Sequence, residues 1–183
     1  MSVPGLPIVE AAALIAAARA AEEQVFTTVG RWVATVAEPD IKVALSVHSR
    51  RHGNHAMDLA AVAPTVPIAG PVPPGLDAAA AEAVAALETT VARLVALARL
   101  LLPMVVSASA FDPGPAVAAA PIIGALRPVR HDHREQAAEV DALLARALAV
   151  AHDREAVDCE LSLLARITRQ ELWLPPSKAT GDS

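Results

Sequence analysis

Three of the chain's six histidines, His48, His52 and His55, fall in the stretch VALSVHSRRHGNHAMDL, residues 43–59. Spacings of four and then three put them on one face of a helix, which turns by about 100° per residue. Imidazole ligates zinc, copper, nickel and iron, and it moves protons near neutral pH. Two other segments carry similar chemistry: Glu22 in RAAEEQVF, and His133 with Gln136 in HREQ. A carboxylate with three nitrogen donors makes a mononuclear metal site, and Glu22, His48, His52, His55 and His133 are its candidate ligands. Three ligands from one helix would crowd a single ion, so at most two of the first three histidines are expected on it. Without a metal, Glu22, His52, His55 and His133 offer a general acid and base, with burial raising the carboxyl pKa and lowering that of the imidazoles.

The surrounding text must fold into helices to bring these groups together. Apolar residues make up 54% of the 183, aromatics only 2%, and tyrosine is absent. Alanine-rich, aromatic-poor sequence favours helices over strands. The missing tyrosine also excludes a tyrosyl radical within the chain. Helices are expected over residues 8–36, 39–61, 77–106 and 121–150, with a C-terminal helix over 152–172 and the whole of 1–183 as one domain. The turn AEPD, residues 37–40, gives Glu38 as a cap and Pro39 at the first helical position. Two proline-rich breaks, residues 63–77 and 107–121, read as long connections. Pro103 is expected to bend the third long helix and Pro128 to kink the fourth.

Each helix has an apolar stripe with polar intruders near its middle. The second reads Ile41, Leu45, His48, His52, His55, Leu59, Val62, so its imidazoles point inward. The first reads Ile15, Glu22, Phe26, Val29, Val33, with Glu23 displaced to the flank. The third reads Val84, Leu87, Val91, Ala98, Leu102, flanked by Glu88. The fourth reads Ile122, Leu126, Val129, His133, Gln136, Val140, Leu144, with Asp132 at its edge and Glu135 further round. His131 and His152 lie off the stripes and are expected in solvent. Buried polar groups cost several kcal/mol unless partnered, so this layer calls for a hydrogen-bonded network, a metal or a solvated cavity.

This pattern resembles that of the ferritin-like proteins, which carry an inward Glu on the first helix, E-x-x-H on the second, a Glu on the third and E-x-x-H on the fourth. Glu22 matches the first position. HGNH, residues 52–55, matches the second with His52 in place of Glu, and HREQ, residues 133–136, matches the fourth with both residues changed. Glu88 stands near the third. The resemblance implies an all-α, ferritin-like four-helix bundle with one long crossover loop and an additional C-terminal helix. At least two of the four bridging carboxylates are replaced, so it implies an altered, histidine-rich site for one divalent transition metal, iron or zinc, or for none.

Three functions follow as expectations. The first is a small-molecule biosynthetic enzyme using the Glu/His site for oxidation or metal-assisted chemistry. The second is a metal-free acid–base catalyst of ring closure, elimination or isomerisation. The third is a non-catalytic bundle stabilising an active paralogue through its C-terminal segment. A net charge of −5 without a basic cluster argues against nucleic acid. The run at 94–106 is broken by Arg99 and Pro103 and falls short of the roughly 20 apolar residues a bilayer needs. The N-terminus has no signal-peptide pattern, and Cys159 is the only cysteine, so a cytoplasmic protein is expected. The C-terminal stripe Val157, Leu161, Leu164, Ile167 needs a cover, from the parent bundle or from the partner in a homodimer or hetero-oligomer.

Overall fold

The computed structural model describes residues 7–65, 75–112, 120–151 and 154–170, all helix or connection with no strand among them. We number six helices: α1 Ile8–Val33, α2 Pro39–Val62, α3 Ala78–Ala85, α4 Thr90–Ala108, α5 Ala120–Val150 and α6 Arg154–Gln170. One apolar core draws on all six. α1 lies along α2, α2 against α5, and α4 against α1, α5 and α6. The proline-rich segments at 66–74 and 113–119 lie outside the described residues, as does His152.

α1 ends at Val33, three residues earlier than expected, in a turn whose Thr35 and Val36 N–H groups both reach Trp32 O. Glu38 does not cap α2 with its side chain. Its carboxylate instead accepts from Thr90 Oγ1 at 2.8 Å.

The single helix expected over 77–106 is two. Asp77 caps α3 by accepting from Ala80 N, and Thr89 caps α4 by accepting from Ala92 N. Between them the free N–H groups of Glu88 and Thr89 bind the Glu160 carboxylate at 2.6 and 2.9 Å, and Thr89 Oγ1 donates to it at 2.5 Å. A carboxylate from α6 thus sits where the first turn of α4 has unpaired donors. Buried Arg93 closes the break by donating to Leu87 O at 2.7 Å.

Pro103 is accommodated by a π-helical stretch, Leu97–Leu101, at whose end Leu102 N reaches five residues back to Leu97 O. Widening of this kind absorbs the donor that a proline removes. α5 stays helical through Pro128. α4 is long and apolar enough to cross a membrane by length and composition, and more than half of it is buried within the protein, where Leu94, Leu97 and Leu101 are core residues.

The α6 stripe is covered by its own chain: Val157, Leu164 and Ile167 are buried in the shared core. Phe26 is a correction to the α1 stripe. It is 46% exposed, and Val25 and Trp32 take the inward positions beside Ile15, Glu22 and Val29. In α5, Leu143 is buried where Leu144 was expected, and Leu144 only flanks the core.

Candidate metal centre

Helical periodicity places the candidate groups. Positions 48, 52 and 55 of α2 fall on the stripe between Leu45 and Leu59, and all three rings are buried. α5 contributes His133 and Gln136 between Val129 and Val140, and α1 contributes Glu22 between Ala18 and Val25. No pair of these helices could assemble the site alone.

Glu22, His52, His55 and His133 meet. One ligand atom from each lies within 4.8 Å of the others, and none of the four residues is more than 4% exposed. His52 Nδ1 is 2.5 Å from Glu22 Oε2, His133 Nε2 is 2.8 Å from Oε1, and His55 Nδ1 is 3.5 Å from Oε2. The rings of His52 and His133 stack, and that of His55 stands edge-on to both. Behind His55, its Nε2 lies 3.0 Å from Asp132 Oδ2.

The electrostatics follow from this crowding. Burial alone would raise the Glu22 carboxyl pKa, but the hydrogen bonds from His133 and His52, with His55 close beside them, outweigh it, so the pKa lies well below the usual carboxylate range. That reverses the expectation that burial would bring Glu22 toward neutrality. Burial keeps His52 below its usual value despite Glu22. Burial also opposes charge on His55, yet Glu22 and Asp132 together raise its pKa. An ionised carboxylate has only lone pairs to offer, so His52 Nδ1 and His133 Nε2 carry the protons and donate to it.

His48 is buried but stands apart from the four. Its Nε2 is 3.2 Å from Glu139 Oε2 without the alignment of a hydrogen bond, and its pKa is lowered by burial. Both of its ring nitrogens lack a hydrogen-bond partner, as do both side-chain polar atoms of buried Gln136. Glu88, the third-helix position, is exposed beside the α3–α4 break. Glu135 pairs instead with solvent-facing His131 at 3.2 Å, and Cys159 is exposed.

Asp132 is the residue that the stripe pattern passed over. Its side chain is 29% exposed and reaches across to α2, and an acidic residue next to an inward histidine was the only signal for it. A groove of about 630 Å³ runs between α1 and α2, lined by Glu23, Phe26, Gly53 and Met57, with Glu23 and Gly53 one position round their helices from Glu22 and His52.

The donor set suits a transition metal. Three nitrogens and one carboxylate oxygen from three helices match zinc or iron, and His55 Nδ1 is a buried nitrogen with no hydrogen-bond partner. Compared with protein families, with curated proteins and with solved structures, the chain finds no match in any of the three.

Proposed function

We propose that the chain is a metalloprotein in which Glu22, His52, His55 and His133 hold one divalent transition metal, zinc or iron, inside a ferritin-like four-helix bundle. The convergence of these four donors within 4.8 Å, fully inside an apolar core, carries the reading. Four such groups are costly to bury together, and three of their nitrogens, His52 Nε2, His55 Nδ1 and His133 Nδ1, have no partner that repays the cost. The helix order and the matches at Glu22, HGNH and HREQ support the ferritin-like architecture.

In this proposal the site serves oxidation or metal-assisted chemistry in the biosynthesis of a small molecule. A bound metal there would supply Lewis acidity and, if iron, redox capacity. The chain's own groups hold the charge and the protons: in the metal-free protein His52 and His133 donate to the ionised Glu22, and on metal binding those two ring nitrogens would give up their protons to ligate. Asp132 and His55 form the edge of the site nearest solvent, so a substrate would approach there.

The metal-free acid–base reading draws on the 2.5 Å contact between Glu22 and His52. The buried ring nitrogens His52 Nε2, His55 Nδ1 and His133 Nδ1, which have no hydrogen-bond partner, favour the metal over this alternative. A non-catalytic role beside a paralogue would need a face other than the α6 stripe, which its own bundle covers. A cytoplasmic location and a homodimer or hetero-oligomer complete the proposal, and light scattering tests the latter.

Elemental analysis of protein purified without tag or chelator tests the central point. Zinc or iron near one atom per chain supports it. A chain that carries no transition metal and takes none up overturns it and leaves acid–base chemistry to be assayed.

A further inference from the structure

The three clustered histidines are held differently on their far sides. His52 and His133 turn one nitrogen to Glu22, and their other nitrogens, Nε2 and Nδ1, meet no partner. His55 is the reverse. Its far nitrogen, Nε2, lies 3.0 Å from Asp132 Oδ2, while Nδ1 faces Glu22 Oε2 from 3.5 Å without a hydrogen bond. The Asp132 carboxylate can only accept, so Nε2 carries a proton, and whenever the ring is neutral it is Nδ1, facing the cluster, that holds the lone pair.

We infer that Asp132 is a positioning residue of the metal centre, which fixes the tautomer and orientation of His55 so that Nδ1 is its ligand atom. The inference rests on the metal reading above. Ligating histidines commonly give their second N–H to a carboxylate, which orients the ring and makes it more basic. The dipeptide Asp132–His133 therefore does two jobs from one turn of α5. His133 points along the stripe toward Glu22, and Asp132, about 100° round the helix, reaches back to the ligand on α2. The Asp132 side chain is 29% exposed against 5% for His55, so its removal touches the edge of the site and not the core packing.

The test uses the full chain, stripped of metal and loaded with cobalt(II), whose visible absorption reports its ligands. Affinity is read by competition with a chelator for the wild type, Asp132→Ala, Asp132→Asn and His55→Ala. The expected loss in Asp132→Ala is roughly 10–100-fold, with an altered cobalt spectrum. Asp132→Asn, whose amide oxygen still accepts from Nε2, retains most of the affinity. Nitrogen–proton correlation spectra of the metal-free protein at alkaline pH give a second readout. They should show His55 as the Nε2–H tautomer in the wild type and as a mixture in Asp132→Ala. If Asp132→Ala binds within about twofold of the wild type while His55→Ala loses affinity, the role of Asp132 is overturned and the metal site stands. If Asp132→Asn falls as far as Asp132→Ala, the tautomer assignment is overturned. If the wild type binds no cobalt, the metal reading fails and takes this inference with it.

Discussion

His133 Nε2 on α5 lies 2.8 Å from Glu22 Oε1 on α1, across 111 positions of sequence. Each residue is 1% exposed. The contact closes a layer in which the other oxygen of the same carboxylate meets two histidines of α2. One side chain thus holds three helices together at mid-height, and the stability of the metal-free protein should depend on it.

Glu22→Ala leaves three imidazoles facing a vacated slot. Removing one partner of a buried charged network costs about 3–5 kcal/mol, and Glu22→Gln, which keeps the shape and one acceptor oxygen, should cost less. Urea denaturation followed by helical ellipticity measures both. A loss in Glu22→Ala below about 1 kcal/mol would show that the layer holds without its carboxylate.

The pH dependence has opposite signs on its two flanks. The Glu22 pKa is depressed, because hydrogen bonds from the histidines outweigh burial. Its contribution is complete above the usual 4.5 and is lost as pH falls through the lower folded value. Burial lowers His48 and His52 below 6.5, so the unfolded chain takes up their protons first and stability declines on acidification below 6.5. His55 is raised by Glu22 and Asp132 against burial. Its contribution is whole below 6.5 and is lost as pH rises through its folded value. Denaturation of the metal-free chain across pH should show both flanks, and His55→Ala should remove the alkaline one while the acid one persists in altered strength. A flat acid flank would contradict this.

His48 and Gln136 should matter for stability in the opposite sense. Their four buried polar atoms lack hydrogen bonds, and an unsatisfied group costs about 1–3 kcal/mol. The double variant His48→Leu, Gln136→Leu is therefore expected to be as stable as the wild type or more so, with metal uptake unchanged. Loss of metal in this variant would place His48 among the ligands after all.

Glu160 ties α6 to the start of α4 through three hydrogen bonds. Loss of a cap costs about 0.5–2 kcal/mol, so Glu160→Ala should lower the melting temperature and speed hydrogen exchange in α6. Unchanged exchange would mean that Val157, Leu164 and Ile167 hold α6 without it.

The inward direction of six polar residues was legible in the sequence, because periodicity alone fixes which face of a helix is buried. Glu22, His48, His52, His55, His133 and Gln136 are all in the interior. Periodicity does not say how far one stripe member stands from another across the bundle, so His48 could not be separated from the four that meet. Phe26 failed for a related reason. A stripe is wide, and the ring at its edge turned outward over Gly53 while Val25 took the core position. The α3–α4 break had a local signal in Thr89, a good cap, but its counterpart Glu160 lies 71 positions away and only the folded chain joins them. Asp132 stands at the edge of the α5 stripe, and an edge position is what lets it reach a histidine on the neighbouring helix.

Calorimetric titration of the metal-stripped chain with zinc tests the central claim most directly, set beside a His52→Ala, His133→Ala double variant of intact helical signal. The account predicts saturation near one zinc per chain in the wild type and no comparable binding in the variant. No binding in the wild type, or equal binding in both proteins, would contradict it.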